Sequence, residues 1–311
     1  MVPALIAIVI AVGVGCIAYG IAIERRWFRL RRYDLPILPS SASSAGAFPD
    51  GERTLTILHL SDLHFVRRDR KKARFLAGLP RADVTIVTGD FLAEPEAVEA
   101  AVDAVRAVRG RHASWFVLGS NDHYVPRPLN YFKYFVKRRR RRYAERGRVH
   151  DLIEGLTTDG WIDLTNVREL VDVDGVPIEL LGLDDAHLRW QDLRVAPRHA
   201  PDRLGLSVMH SPDSAPESAA LGYDLMVAGH THGGQVCIPG FGALVTNSSM
   251  PPRLAAGLIR MGTAILHTSP GLGTSKYAPF RFACRPEATL LELRPRRRGP
   301  AGAPAPGDRA D

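Results

Sequence analysis

The chain has 311 residues, of which 45% are hydrophobic and 24% are charged, and its formal net charge is +8. This length allows one large domain or two small ones, and the composition excludes a mostly disordered chain. The three cysteines, Cys16, Cys237 and Cys284, have no spacing typical of a zinc site or a disulfide framework.

The first predicted element is a membrane-spanning helix over Val2–Ile23, a run without a charged residue. A bilayer core needs roughly 20 such residues in a helix. No Lys or Arg precedes the run, which favours an uncleaved anchor over a signal peptide. The cluster Arg25 to Arg32 follows it, together with Trp27 and Phe28, and is typical of a cytoplasmic flank. We therefore expect a single-pass membrane protein with its main domain in the cytoplasm.

Composition divides the chain into four segments. Residues 1–24 are the predicted transmembrane anchor, and residues 25–53 are a basic juxtamembrane segment with a linker rich in Pro, Ser and Ala. Residues 54–294 are the predicted folded domain. Residues 295–311, rich in Arg, Pro, Gly and Ala, are expected to be a disordered tail.

Short apolar runs alternate with amphipathic stretches along the predicted domain, which indicates an α/β fold with a sheet buried by helices. The amphipathic stretches are Arg70–Leu79 and Glu94–Val108. The predicted strands are Leu55–Leu60, Val84–Thr88, Trp115–Leu118, Ile178–Leu183, Leu206–Met209, Leu225–Ala228, Ala264–His267 and Ala288–Leu293.

Side chains able to bind metal ions follow five of these strands, at the edge where α/β sheets bind ligands. In chain order they are Asp62 and His64, then Asp90, then Asn121 with Asp122 and His123, then His210, and finally His230 and His232. A single histidine or Gly-Asp pair at a strand end would most often be structural. Five such groups in succession instead predict a shared site.

The mixture of carboxylates, imidazoles and one amide suits two divalent ions with different ligand sets. A shared carboxylate can bridge ions roughly 3.5–4 Å apart. Such ions polarise a phosphoryl group and make a metal-bridged hydroxide available near neutral pH. The pattern therefore predicts hydrolysis of a phosphate ester or anhydride.

The order Asp-x-His, Gly-Asp, Gly-loop-Asn, His and Gly-His-x-His resembles the calcineurin-like metallophosphoesterase family, over roughly Thr54 to Leu293. The runs Gly229–Gln235, Pro270–Gly273 and Arg285–Glu287 resemble its membrane-associated bacterial branch. The resemblance implies two packed β-sheets flanked by helices, a four-layer sandwich. It also implies two metal ions, Mn, Fe or Zn.

The resemblance implies a ligand set for each ion, with Asp90 bridging them. One ion would be held by Asp62, His64, Asp90 and His232. The other would be held by Asp90, Asn121, His210 and His230.

The third motif departs from the family pattern, which is Gly-Asn-His-Asp. Here the run is Gly119-Ser120-Asn121-Asp122-His123. Either Ser120 takes the place of the ligand or the loop is shifted by one residue. We favour Asn121, because an amide oxygen is a better metal donor than a neutral hydroxyl. The candidates for protonating the leaving group are His123 and Asp122, unless the substrate has a leaving group that needs no acid.

The segment Tyr131–Tyr143 combines aromatic residues with the basic run Lys137–Arg142. This combination is typical of an element that docks on an anionic lipid surface. A solvated basic helix is the main alternative, and a nucleic-acid contact is disfavoured.

Several other polar residues have mainly structural interpretations. His59 and His267 are expected in the core, and Cys237 is expected to be a small buried residue. Asp184 and Asp185 line the mouth of the site or are solvated, and His187 stays open.

Two enzyme classes and one other class fit these observations. The favoured substrate is a phospholipid or lipid-linked phosphate ester at a membrane. The first alternative is a phosphodiesterase acting on a soluble nucleotide-type substrate. The second is a non-catalytic, membrane-anchored metal-binding scaffold.

Overall fold

The computed structural model describes residues 2–39, 54–126 and 145–296. Its α-helices in chain order are α1 (Val2–Ala22), α2 (Arg70–Ala77), α3 (Val98–Arg106), α4 (Ser120–His123), α5 (Val149–Thr158) and α6 (Ala215–Ala220). Its first seven strands are β1 (Arg29–Leu38), β2 (Leu55–Leu60), β3 (Val84–Thr88), β4 (Ala113–Val117), β5 (Ile162–Asp163), β6 (Val167–Val173) and β7 (Val176–Leu183). The remaining strands are β8 (Leu204–Met209), β9 (Leu225–Ala228), β10 (Cys237–Ile238), β11 (Gly242–Ala243), β12 (Gly257–Met261), β13 (Ala264–Thr268) and β14 (Glu287–Pro295).

These strands form two mixed six-stranded sheets and a small hairpin. The first sheet has the order β1-β14-β2-β3-β4-β5, and the second has the order β12-β13-β9-β8-β7-β6. Strands β2, β3 and β4 are mutually parallel, and so are β7, β8, β9 and β13. The carboxyl ends of the parallel strands in each sheet therefore lie at one edge.

The two sheets pack face to face. Successive side chains along each strand point to opposite faces of its sheet, so one set lies between the sheets and the other lies on the outer face. Ile57 and Val84 of the first sheet contact a core shared with Leu206 of the second. The neighbouring residue Leu58 points to the opposite face, where α2, α3 and α5 cover the sheet. A third apolar cluster, which includes Met226, covers the outer face of the second sheet. The predicted four-layer α/β sandwich is thus confirmed.

Strand β1 differs from the sequence prediction, which assigned residues 25–53 to a juxtamembrane segment and linker. Residues 29–38 instead form an edge strand parallel to β14. Leu35 and Leu38 are buried in the core between the sheets. Arg29 and Arg31 contact the buried Glu287 at 2.6 and 3.2 Å. The prediction failed here because three arginines obscure the alternation of apolar residues.

Helix α1 is long and apolar enough to cross a membrane. Its residues are almost all exposed, which distinguishes it from the buried core helix of a soluble protein. The proposed lipid-docking segment Tyr131–Tyr143 lies outside the described residues, as do most of the linker and nearly all of the predicted tail.

Candidate metal centre

The predicted site residues follow the carboxyl ends of strands in both sheets. Asp62 and His64 follow β2, and Asp90 follows β3. The second sheet contributes His210 after β8 and His230 after β9, with His232 in the next turn. Because the sheets face each other, their two loop edges converge at one place.

Five of these residues adopt an unusual backbone conformation. The residues with positive φ include Asp62 (48°), His64 (42°), Asp90 (54°), His230 (67°) and His232 (52°). Side chains other than glycine enter this region at a cost, and such strain is concentrated at functional sites. The turns after β2, β3 and β9 therefore point these side chains inward at the expense of local stability.

Asp62, His64, Asp90 and His232 form a compact group whose donor atoms all lie within 4.8 Å of one another. The Nε2 atoms of His64 and His232 are 3.1 Å apart. His64 Nε2 lies 3.5 Å from Asp90 Oδ2, and His232 Nε2 lies 3.5 Å from Asp62 Oδ1. This group could hold one divalent cation.

Asp90 also faces a second group of donors. Its Oδ1 lies 3.6 Å from His210 Nε2, which is 3.1 Å from His230 Nδ1. The backbone N–H of Asn121 donates to the same Oδ1 at 2.9 Å, and the Asn121 amide contacts Oδ2. The Nδ1 atom of His210 is 2.7 Å from the carbonyl oxygen of Thr88, which leaves Nε2 for the site. One carboxylate is therefore shared by two sets of donors.

Unpaired polar atoms show that this donor set fits a cation. Asp62 Oδ1 and Asp185 Oδ2 are buried and form no hydrogen bond within the described residues. Buried carboxylate oxygens without partners are costly unless a cation neutralises them. Carboxylate and imidazole donors together suit a divalent metal ion.

The local electrostatics match this interpretation. Burial is the main cause that lowers the pKa of His64 to about 4 and that of His232 well below its usual value, so both are neutral and able to bind metal. Burial opposes ionisation of Asp90, but the imidazoles of His210 and His64 and hydrogen bonds from Asn121 lower its pKa to about 2. Burial also lowers the pKa of His210, yet Asp90, Asp185 and Asp62 together raise it to about 9. The carboxylates around His210 therefore favour positive charge at that position.

The third motif separates into residues with different surroundings. Asn121 contacts Asp90, which fits our preference for Asn121 over Ser120. Asp122 instead accepts hydrogen bonds from the backbone N–H groups of Asp90, Gly119 and Leu92. These bonds engage both oxygens of Asp122 and fix the loop. Burial and the neighbouring carboxylate of Asp90 raise the pKa of Asp122 to about 7, so Asp122 and His123 both stay candidates for the general acid.

His123 occupies a different position, at the side of the site. Its Nε2 atom lies 3.5 Å from Asp184 Oδ1, and its ring packs edge-on against Trp190. Burial lowers the pKa of His123, but Asp184 and the neighbouring carboxylates raise it more, so the net shift is upward. His123 therefore keeps its proton to a higher pH than a free histidine does.

The sequence left Asp184, Asp185 and His187 after β7 undecided; the structure buries the two carboxylates and leaves His187 partly exposed. Asp185 is fully buried near His210 and Asp90, and Asp184 contacts His123. The ring of His187 lies 4.9 Å from that of His230. These residues belong to the lining of the site. Their position directly after a predicted strand was the only signal in the sequence.

Two buried basic side chains, Lys72 and Arg281, support the loops around the site, and the sequence did not single them out. Lys72 donates to the carbonyl oxygens of Leu63 and His64. Arg281 is fully buried and donates to carbonyl oxygens of the loops around the site, which are those of His232, Pro270, Gly271, Gly273 and Cys284. Neither residue lies in a recognisable motif.

The remaining structural predictions have mixed outcomes. His59 and His267 are fully buried and contact each other through their Nδ1 atoms at 2.8 Å, as expected for core residues. Cys237 was expected to be buried, but it is partly exposed, and it has a second cysteine nearby. Both its Sγ atom and that of Cys284 lie within hydrogen-bonding reach of the Gly233 carbonyl oxygen, at 3.3 and 3.6 Å.

Comparison with known proteins adds independent information. A family model described as "Calcineurin-like phosphoesterase" matches residues 55–234. An uncharacterized metallophosphoesterase of Bacillus subtilis, YkuE, is 26% identical over 76% of this chain and 76% of its own. The phosphodiesterase YaeI of Escherichia coli is 27% identical over 87% of this chain and 90% of its own. A bovine transmembrane protein with a metallophosphoesterase domain is 27% identical over 79% of this chain and 54% of its own.

Proposed function

Because this chain belongs to the calcineurin-like phosphoesterase family, we propose that it hydrolyses a phosphate ester or anhydride of a lipid or lipid-linked substrate at a membrane. The family identifies the chain as a hydrolase that acts on phosphoric ester bonds. The observation that carries the proposal is the single carboxylate of Asp90 between two sets of donors.

Two divalent metal ions fit these donors. Asp62, His64, Asp90 and His232 would hold one ion. Asp90, Asn121, His210 and His230 would hold the other. When bound, such ions would supply Lewis-acid chemistry, which activates water and stabilises the charge that develops on a phosphoryl group.

The chain's own residues have three tasks in this reaction. The strained turns hold the donors in place, so little reorganisation is needed when the substrate binds. Asp122 helps to orient Asp90 by accepting a hydrogen bond from the Asp90 backbone N–H group. His123, whose Nε2 atom lies 3.5 Å from Asp184, is the candidate that we favour for protonating the leaving oxygen.

The support for a membrane substrate comes from helix α1, which is apolar, exposed and followed by an arginine cluster. A second candidate is a soluble phosphodiester, and the observation that favours it is the name of the Escherichia coli relative, a phosphodiesterase. Both candidates use the same centre and differ in how the substrate reaches it.

A substrate panel tests the proposal with the purified full-length protein in mixed micelles and Mn²⁺. We expect hydrolysis of an aryl phosphodiester, and faster hydrolysis of a phospholipid or lipid-linked diphosphate presented in the same micelles. Efficient turnover of only cyclic or linear nucleotides would favour the soluble substrate. Bound metal without turnover of any ester would instead favour a metal-binding scaffold.

The proposed topology can be measured separately. Because five arginines lie between residues 25 and 32, shortly after α1, we expect the catalytic domain to remain in the cytoplasm. A reporter fused after Asp311 should be active only if it is of a type that works in the cytoplasm. Activity of a reporter that requires export, or a mature N-terminus found after α1, would contradict this topology.

A further inference from the structure

An exposed apolar patch follows the last histidine motif of the metal centre. The fractional exposures of its large side chains are 47% for Ile238, 72% for Phe241, 52% for Leu244 and 44% for Val245. Single exposed apolar residues are common on protein surfaces, whereas a group of four within eight residues marks an interaction surface. The surrounding run from Gly233 to Pro252 contains no Asp, Glu, Lys or Arg, although 24% of the chain is charged.

The patch has a defined shape. Strands β10 and β11 pair as a tight hairpin, with Cys237 opposite Ala243. The backbone N–H of Phe241 donates to the carbonyl oxygen of Ile238, which closes a turn with Pro239 and Gly240 at its centre. Gly240 has φ of 80°, as the third position of a type II turn requires. Because the turn already fixes the backbone, a contact made by Ile238 and Phe241 needs little further loss of conformational entropy.

The hairpin is attached to the same loop as the end of helix α1. The backbone N–H of Cys237 donates to the carbonyl oxygen of Phe282, and Phe282 in turn donates to Gln235. The Phe282 ring packs edge-on against Tyr19 of α1, with ring centres 6.3 Å apart. The apolar hairpin is thus separated from the proposed membrane span by one residue, Phe282.

Close backbone packing and hydrogen bonds hold α1 and this loop together. Gly20 approaches the Arg281 backbone so closely that a Cβ atom would lie 2.5 Å from its carbonyl oxygen. The buried carboxylate of Glu24 accepts the backbone N–H groups of Ala283 and Cys284 at 3.0 and 2.7 Å. These contacts tie the end of α1 to the loop with which the hairpin forms hydrogen bonds, so α1 and the hairpin are fixed to the same segment.

We propose that the hairpin and the residues after it, 237–245, insert Ile238, Phe241, Leu244 and Val245 into the lipid bilayer beside the anchor. The occupant of this patch is lipid because the patch lacks charge and continues the surface of an apolar membrane span. This inference rests on the proposed membrane anchoring of α1. Insertion of the hairpin would hold the turn that contains His232 at the level of the lipid headgroups, where a lipid-linked phosphate is found.

Fluorescence quenching tests this insertion in the full-length protein reconstituted in phosphatidylcholine vesicles. The probe is Phe241→Trp, and the quencher is phosphatidylcholine with brominated acyl chains. Two matched variants accompany it, Val12→Trp in α1 and Leu170→Trp on the edge strand β6. Leu170 is 54% exposed and belongs to the strand at the far edge of the second sheet. Emission of the unsubstituted protein is subtracted in each lipid.

We expect strong quenching of Phe241→Trp and Val12→Trp by brominated lipid, and less than about one-fifth of that quenching for Leu170→Trp. Quenching of Val12→Trp without quenching of Phe241→Trp would overturn the insertion of the hairpin and leave the anchor intact. Absence of quenching for both variants would overturn the anchoring itself. Equal quenching at all three positions would also contradict the inference, since contact with lipid would then not be specific to the hairpin.

Discussion

Replacement of Asp90 by Asn is expected to lower turnover of an aryl phosphodiester by about 10³-fold or more, on the scale of removing one preorganised electrostatic group. Asn has the same shape as Asp but lacks the negative charge that both donor sets share. Metal content should therefore fall together with the rate. The measurement is steady-state turnover combined with elemental analysis of the same protein sample.

A matched control lies at the opposite end of the same strand. Asp83 precedes β3 and bonds to Thr56 and Arg111, far along the strand from the metal centre. Asp83→Asn should reduce thermal stability but leave metal content and turnover per folded molecule nearly unchanged. Two metals and near-normal turnover in Asp90→Asn would refute the assignment of Asp90 as the shared ligand.

The second large effect is expected for Arg281, which contacts no predicted ligand side chain. Its guanidinium bonds to the carbonyl oxygens of His232 and Gly273. Gly273 in turn donates to the Asp62 carbonyl oxygen. Arg281→Met should weaken metal binding by roughly 10–100-fold, as removal of outer partners does at metal sites. Saturating metal should restore most of the turnover.

Metal titration separates this positioning role from general destabilisation. Arg281→Lys should recover part of the affinity, because an ammonium group can still donate to some of the carbonyl oxygens. Arg285→Met is the control, since Arg285 lies in the same segment but packs over the Trp27 ring at 4.0 Å. Loss of thermal stability in Arg281→Met with unchanged metal affinity would argue against the positioning role.

The sequence alone was sufficient to predict the strands that precede the candidate metal-binding side chains. Strands β2, β3 and β9 have the predicted bounds, because each is a short, mostly apolar run closed by a turn. Asp90 could be predicted because it follows such a strand directly. The side chain of Asp185 also follows a strand, but nothing in the sequence distinguished a buried carboxylate there from a solvated one.

Other parts depend on contacts between distant segments. Arg281 becomes part of the centre only because the loop after β13 folds against the turn of His232. Strand β1 was not predicted because its register is set by pairing with β14, more than 250 residues away, and by bonds to Glu287. The hairpin of β10 and β11 is too short to give an alternating pattern.

The most direct test of the two-metal centre is the metal content of the purified full-length protein, measured together with its phosphodiesterase activity. We expect about two divalent ions per chain. Chelation should remove the ions and the activity together, and Mn²⁺ should restore both. Full turnover by a protein that contains no metal would contradict the account.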